Sequence, residues 1–338
     1  MSPPMRPTTS IAQLSIAAFL LANAGGAAAQ TLGVGVSGST PNLGKVASAA
    51  SGDTVFRITP STGAITKQSG AGARVTTGTS RATVTVSCGN QNNCNTKQVN
   101  VRIGSGTWGG RGRQLSNFKV SMGTATQAVA PTGTDPINFR IGPIGKNSSK
   151  TFYVGADFPI AGDNSGSTTG SAYSAFYVWV AVAPGTPDGS VSGSGTAVAN
   201  VFRSISLAKT SDLYFGRIVR PLSGTATVGL AASNGAKSYP AGVAWMNLPQ
   251  PTRAGYTVTG EGGQTLSINI PSTFNMTGPS SSTLTVTTNN NLTATPTLSS
   301  ILGNSGTYNF FVGGSFPISS TTQSGVYSGT FAVTVAYN

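Results

Sequence analysis

The sequence predicts an all-β protein built from two tandem antiparallel sandwiches. The first observation behind this prediction is strict alternation of apolar and polar residues in short segments, such as ATVTVS (82–87), QVNVRI (98–103), STLTVTT (282–288) and FAVTVAY (331–337). Such alternation places one face of a strand in a core and the other in water. Clusters of Gly, Asn, Pro and Ser separate the segments, and no helical stripe with caps interrupts them. Short strands of this kind bury one face by pairing into sandwiches.

The second observation is an internal repeat. FYVGADFPI (152–160) returns as FFVGGSFPI (310–318), with six of nine positions identical. Three flanking blocks match in the same order, with one gap in the last pair: RATVTVSCG (81–89) with RAGYTVTGEG (253–262), VNVRIG (99–104) with LSINIP (266–271), and GSAYSAFYVWVAV (170–182) with GVYSGTFAVTVAY (325–337). Two diverged copies of one domain explain this order. The proline within the nine-residue segment predicts an edge position or a bend, and we interpret the segment as a core strand that turns a corner of the sandwich.

The N-terminal residues 1–29 are predicted to be a signal peptide. One cation is followed by a small, apolar run, and Ala27 and Ala29 form the pair of small residues typical of a cleavage site. The run is interrupted by Asn23 and two glycines, which does not suit a membrane span. We therefore expect a secreted protein that passes through the periplasm to the cell surface.

The remaining chain divides by composition and repeat. We predict a first sandwich over 30–183, a Gly/Ser/Pro-rich linker with a candidate completing strand over 184–204, and a second sandwich over 205–338. The stretch 184–196 is predicted to be loop or linker.

The residue inventory argues against an enzyme. Histidine is absent and there are seven carboxylates. The chain therefore has no imidazole to activate a nucleophile and no histidine to bind zinc. A pair of carboxylates acting on a glycan stays open as an alternative. No cofactor or metal is expected.

Cysteines and charge indicate an exported, basic protein. Cys88 and Cys94 predict a disulfide that closes a polar hairpin loop. The net charge of +13 favours contact with anionic glycans or surfaces, whereas no basic helix or RNA-binding motif suggests nucleic acid.

Each copy resembles secreted bacterial domains of unknown function linked to fimbriae, which are similar to spore-coat-U-type and chaperone–usher pilin subunits. The resemblance rests on an LxFG-like start (Leu213, Phe215 and Gly216, weaker at Leu43 and Gly44) and on the GxYxGxFxVTVxY ending. It implies immunoglobulin-like sandwiches, of which the second lacks its last strand. In such subunits a chaperone, and then a neighbouring subunit, inserts an extended strand into the gap.

The resemblance implies one acceptor edge and two candidate donor strands in this chain. The acceptor edge is the final alternating segment, at Phe331, Val333, Val335 and Tyr337, after which no further strand is expected. One donor candidate is the segment 31–38, with Leu32, Val34 and Val36 alternating; strand A of the first sandwich or a disordered tail is the alternative. The other is the segment 196–209, which could complete the first sandwich itself.

One loop-like stretch, GTWGGRGRQ (106–114), has no counterpart in the second copy. Trp108 is predicted to stack on a ligand ring, and Arg111 and Arg113 to pair with carboxylate or phosphate; a solvated hairpin loop is the alternative. Trp179 and Trp245 are interpreted as packing residues.

These features favour a secreted structural or adhesive subunit of a bacterial surface fibre that assembles by donor-strand complementation. Its expected partners are other fimbrial subunits and a periplasmic chaperone. The alternatives are a monomeric extracellular carbohydrate-binding module and a glycan-active enzyme.

Overall fold

A computed structural model describes residues 32–38, 41–90, 92–187 and 191–338. The predicted signal peptide, residues 1–29, lies outside the described residues. Within them the chain is almost entirely β, which confirms the predicted fold class. Helical structure in these ranges is limited to α1 (Asn92–Thr96) and two 3₁₀ turns, Asp163–Ser165 and Pro279–Ser281.

The N-terminal half forms two sheets. Its strands are β1 (Leu32–Ser37), β2 (Asn42–Ala47), β3 (Thr54–Ile58), β4 (Ile65–Ser69), β5 (Ala73–Arg74), β6 (Ala82–Cys88), β7 (Val99–Gly109), β8 (Ser116–Met122), β9 (Gln127–Thr132), β10 (Ile137–Ile141), β11 (Ser148–Ile160), β12 (Gly170–Val182) and β13 (Ser192–Phe202). One sheet has the order β1-β6-β11-β3-β4, with β8 also pairing β11, and the other has the order β5-β2-β13-β12-β7-β10-β9. Apolar residues of both sheets share one buried cluster, so this half is a sandwich.

The C-terminal half is less completely paired. Its strands are β14 (Ser206–Ser211), β15 (Ile218–Val219), β16 (Thr225–Leu230), β17 (Lys237–Ser238), β18 (Ala244–Trp245), β19 (Ala254–Glu261), β20 (Leu266–Asn269), β21 (Thr273–Thr277), β22 (Thr283–Asn290), β23 (Ser305–Ser319) and β24 (Thr334–Tyr337). The main sheet has the order β14-β19-β23-β16-β17, and β22 also pairs with β23 and carries β21 on its other side. The pairs β15-β18 and β20-β24 form two-stranded sheets. Two buried clusters lie in this half.

The repeat read from the sequence is reproduced in strand register. Phe152 of β11 lies opposite Val84 of β6, and the matching Phe310 of β23 lies opposite Tyr256 of β19. Val84 and Tyr256 occupy the same position in the matched blocks 81–89 and 253–262. The two halves therefore use the same pairing, not merely similar sequences.

An arginine supports the same strand in both halves. The guanidinium of Arg81 lies 3.5 Å from the ring centre of Tyr153, and that of Arg253 lies 3.8 Å from the ring centre of Phe311. Both guanidinium groups also donate to backbone carbonyls. Each cation thus ties an aromatic ring of the long strand to a neighbouring loop.

The corner predicted for the repeated segment is present. β11 pairs with β6 as far as Val154 and with β3 from Asp157 onward. Between these residues, a Cβ on Gly155 would lie 2.1 Å from the carbonyl oxygen of Ile58; the same distance separates a Cβ on Gly313 from the oxygen of Leu230. A side chain at either glycine would displace backbone, so the crossing requires glycine.

The predicted disulfide is present, but its loop is not a hairpin. Cys88 and Cys94 are bonded at 2.02 Å, and both are buried. The loop contains α1 and connects β6 to β7, which belong to different sheets. The disulfide therefore closes a sheet-to-sheet connection, which the polar composition alone does not distinguish from a hairpin.

We predict that Gly155→Ala lowers the free energy of unfolding by about 3 kcal/mol or more, because overpacking against backbone cannot relax through a flexible side chain. Urea denaturation measures the change. Gly35→Ala is the matched control, since its Cβ would meet nothing within 4 Å. Equal midpoints for the two variants would contradict the role given to the crossing.

Candidate functional site

The final strand pairs on one side with the partner that the repeat predicts. Tyr337 and Val335 of β24 lie opposite Leu266 and Ile268 of β20. In the N-terminal half, Val182 and Val180 of β12 lie opposite Val99 and Val101 of β7, the matching positions. The β20-β24 pair is thus the C-terminal counterpart of β7-β12.

The other side of this pair differs between the halves. β13 covers β12 along ten residues, from Gly170 opposite Val201 to Trp179 opposite Ser192. Across the described ranges, the ladder of β24 is with β20 alone. The position that β13 occupies in the N-terminal half therefore has no strand from the described chain in the C-terminal half.

Burial of the predicted acceptor edge follows this difference. Phe176, Val178 and Val180 of β12 are 1%, 0% and 1% exposed. The matching Phe331, Val333 and Val335 are half-buried, and Tyr337 alone among the four acceptor residues is buried. The regular strand starts only at Thr334, so the prediction of a strand through Phe331 and Val333 is wrong at its beginning.

The first donor candidate is part of its own sandwich. β1 pairs with β6, with Leu32 opposite Cys88, Val34 opposite Val86 and Val36 opposite Val84. These three side chains pack against the N-terminal core. The segment corresponds to β14, which pairs with β19 in the C-terminal half. In the structure the segment is therefore the first strand of its own sandwich, which was the alternative. The sequence left both possibilities open, because alternation is the same in a strand that inserts into a neighbour and in one that pairs within its own domain.

The second donor candidate, 196–209, is divided between the halves. Residues up to Phe202 complete the N-terminal sheet, where β13 lies between β12 and β2, and Ser206 already begins β14. The loop predicted over 184–196 is shorter than expected, since β13 begins at Ser192. The beginning of the strand was not predicted because its Gly and Ser residues are typical of a linker. The inward positions of β13 are nevertheless filled by small side chains.

The predicted contact residues do not form one surface. Trp108 is 47% exposed, and Arg113 is half-buried. Arg111 is 1% exposed and forms an ion pair with Asp163, so the prediction of Arg111 as a surface ligand contact is wrong. Nothing in the Gly-rich sequence around Arg111 indicates that its partner, Asp163, lies 52 residues further along the chain.

Arg111 belongs instead to a polar cluster at the junction of the halves. It donates to Ser48 Oγ at 2.8 Å as well as to Asp163. The other carboxylate oxygen of Asp163 accepts from the backbone N–H and the hydroxyl of Ser204, at 3.0 and 2.7 Å. Asp163 thereby ties the N-terminal core to the segment between β13 and β14.

A second carboxylate extends the cluster to the last strand. Glu261 is fully buried and accepts from Thr169 Oγ1 at 2.9 Å and from the N–H of Arg203 at 3.1 Å. The backbone N–H of Glu261 donates to Tyr337 Oη at 2.7 Å, and that hydroxyl donates to the carbonyl of Arg203 at 3.0 Å. Burial raises the pKa of Tyr337 to about 12, so its hydroxyl stays a donor. The end of β24 is anchored where the two halves meet.

The remaining tryptophans lie in different settings. Trp245 is 8% exposed and donates to the carbonyl of Phe215 at 2.6 Å, which confirms its packing role. Trp179 is half-buried and lies beside the exposed Tyr177 on the outer face of β12, so the packing interpretation misplaced it. Its odd-numbered position, opposite in parity to the buried Phe176, Val178 and Val180, is the signal that could have shown this.

No group of three or more His, Cys, Asp or Glu among the described residues could hold a metal ion. In the same part of the chain, no helix has the length and apolar character needed to cross a membrane.

Comparison with known families gives a match over the C-terminal half. Residues 205–337 match a family described as a domain of unknown function (DUF4402). No curated protein matches the chain.

Solved structures give distant similarities. A family 123 glycoside hydrolase from Clostridium perfringens, described for glycolipid glycan hydrolysis, is 12% identical with a TM-score of 0.25 over 52% of this chain and 27% of its own. A Mobiluncus mulieris adhesin with disulfide, isopeptide and ester cross-links is 11% identical with a TM-score of 0.22, over 72% and 89%. A chaperone–tip adhesin complex of CFA/I fimbriae is 11% identical with a TM-score of 0.22, over 88% and 94%. The chain spans about a quarter of the length of the hydrolase.

We predict that Asp163→Asn lowers the free energy of unfolding by about 3 kcal/mol, because it leaves the buried Arg111 without its anion. Asp212→Asn is the control: it removes an exposed pair with Lys209 and should not shift the midpoint measurably. Urea denaturation at pH 7 measures both. An Asp163→Asn variant as stable as the control would contradict the junction's role.

The same carboxylate predicts a pH dependence. Burial alone would raise the pKa of Asp163, but hydrogen bonds from Ser204, Arg111 and Ser48 outweigh it, so the pKa is lowered. A carboxyl group with a lowered folded pKa contributes stability above its unfolded pKa and loses it as pH falls through the folded value. Stability should therefore drop below about pH 4, and the drop should be smaller in Asp163→Asn. An identical acid profile for both proteins would contradict this.

Proposed function

We propose that the protein is a secreted structural or adhesive subunit of a bacterial surface fibre, whose C-terminal half accepts a strand from another chain. The observation that carries this proposal is the one-sided pairing of β24, at the position where β13 completes the N-terminal half. The signal peptide predicted over 1–29 and the disulfide fit an exported protein.

The edge of β24 has the properties of a strand acceptor. An unpaired strand edge presents a row of N–H and C=O groups that another extended chain can satisfy. Beside it, Phe331, Val333 and Val335 are half-buried. A strand laid along this edge pairs its backbone with β24 and covers these side chains with alternate residues of its own.

The N-terminal half supplies the template for this contact. β13 runs antiparallel to β12, and its Ala197, Ala199 and Val201 are buried against the core. A donor for the C-terminal half therefore needs small or branched apolar residues at every second position. By analogy with β13 on β12, the donor strand would run antiparallel to β24.

The donor comes from another protein in this proposal. The segment 32–37 pairs within its own sandwich, and β13 is held by β12 and β2. A periplasmic chaperone would cover the edge in transit, and a neighbouring subunit of a different kind would replace it in the fibre. The strand of that neighbour would then cover the half-buried residues beside β24.

We predict that appending a second copy of residues 183–203 after Asn338 raises the free energy of unfolding by about 3 kcal/mol, since three half-buried apolar side chains become buried. In the N-terminal half this segment follows Val182, the counterpart of Tyr337. Thermal and urea denaturation measure the gain, and the extended chain should no longer be incorporated into the fibres assembled by the secreting cells.

The matched control carries the same extension with the appended copies of Ala197, Ala199 and Val201 changed to Asp. It has equal length but cannot bury its inward positions. If both extensions leave stability and assembly unchanged, the edge of β24 does not accept a strand and the proposal fails.

A further inference from the structure

We infer that the outer face of the seven-stranded N-terminal sheet binds an acidic polysaccharide along a strip of aromatic rings. The strip consists of Tyr173, Tyr177 and Trp179 of β12. These residues share one face of the strand, because side chains two or four positions apart point the same way. The residues between them, Phe176 and Val178, are buried in the core.

The rings lie against the backbone of β7, which carries glycines below them. A Cβ built on each glycine would lie 2.6, 2.6 and 3.3 Å from the nearest ring atom (Gly109 to Tyr173, Gly106 to Tyr177, and Gly104 to Trp179). A side chain at Gly106 or Gly109 would therefore displace the tyrosine ring that lies against it. Tyr173 and Tyr177 remain 43% and 36% exposed, so the strip is open to solvent.

The geometry of the strip suits sugar rings. Tyr177 and Trp179 have ring centres 5.7 Å apart and ring planes inclined by 29°, so the two rings stack and support each other. From Trp179 to Tyr173 the strand advances about 20 Å, at roughly 3.3 Å per residue. Aromatic faces offer an apolar surface with polar tips, which matches the C–H faces and hydroxyl rims of a linear saccharide. The strip is long enough for several units.

Two arginines beside the strip indicate that the saccharide is acidic. Arg102 lies opposite Trp179, with its guanidinium 5.5 Å from the indole centre. On the next strand, Arg140 donates to the amide oxygen of Asn100 at 2.7 Å. Within the described residues neither arginine forms an ion pair. Guanidinium groups left with neutral partners on an open face are suited to carboxylate or sulfate groups.

A cleft continues the face beyond Tyr173. It has a volume of about 570 Å³ and is lined by Asn42, Gly44, Lys45, Thr76, Ser171, Val198, Ala199 and Asn200. Tyr173 lies opposite Val198, and Ser171 lies opposite Asn200, so the cleft begins where the aromatic strip ends. Amide and hydroxyl groups both donate and accept hydrogen bonds, as sugar hydroxyls require.

This face is separate from the proposed strand acceptor. The strip lies on β12 in the N-terminal half, and the acceptor lies along β24 in the C-terminal half. Failure of one therefore leaves the other standing. The extended, charged and hydroxyl-compatible character of the face favours a polysaccharide over a second copy of this chain, whose net charge of +13 would repel the arginines.

The test is isothermal titration calorimetry of the full chain with alginate, a polyuronate, and with neutral dextran of matched length. We expect alginate to bind and dextran to bind at least about tenfold more weakly. Tyr177→Ala combined with Trp179→Ala leaves the net charge unchanged and should weaken alginate binding about tenfold or more. Tyr239→Ala, which removes an aromatic that is 48% exposed in the C-terminal half, should bind as the parent does.

A second variant guards against loss of folding. Arg102→Gln combined with Arg140→Gln changes surface groups and should weaken alginate binding while the urea midpoint is kept. Absence of alginate binding by the parent chain would overturn the proposal. Alginate binding that survives loss of Tyr177 and Trp179 would also overturn it, because attraction by net charge alone would then suffice. Equal binding of dextran would refute the assignment of an acidic ligand.

Discussion

Contact between two backbones, at Gly155 in one half and Gly313 in the other, fixes how this protein is built. At these points the long central strand passes a neighbouring carbonyl so closely that even a methyl group has no room. The strand can then leave one partner and join another, which lets the chain turn a corner without losing its ladder. The repeated nine-residue segment is the sequence that meets this constraint, and its duplication carries the register of the surrounding strands with it.

The main structural difference between the halves lies in which strands pair with β12 and with its counterpart β24. β12 has β7 on one side and β13 on the other, whereas β24 has β20 and, in the described part of the chain, no strand on its second side. The junction cluster holds one end of β24, through the hydroxyl of Tyr337. Residues 329–333, immediately before β24, belong to no strand. The C-terminal segment is therefore anchored at Tyr337 and unpaired on its second side along the rest of its length. In the proposed function, this edge of defined position is what the donor strand pairs with.

The sequence predicted the β class, the duplication and the disulfide pair, because alternation and self-similarity can be seen in the sequence itself. The sequence could not show which domain residues 32–37 pair with, since an alternating strand has the same pattern whether it pairs within its own domain or in a neighbouring subunit. It missed the strand at Ser192 because small inward residues resemble a linker. Arg111 and Asp163 meet only through the fold, and the aromatic strip depends on which parity of β12 faces outward and on glycines in β7 that sequence order does not connect.

The central claim is that β24 receives a strand from another molecule. Amide hydrogen exchange over residues 326–337 tests it most directly, compared between the purified monomer and the fibres assembled by the secreting cells. We expect exchange in this segment to slow strongly on assembly, while residues 170–182, already covered on both sides, keep the same protection. Equal exchange of 326–337 in the two states would contradict the account.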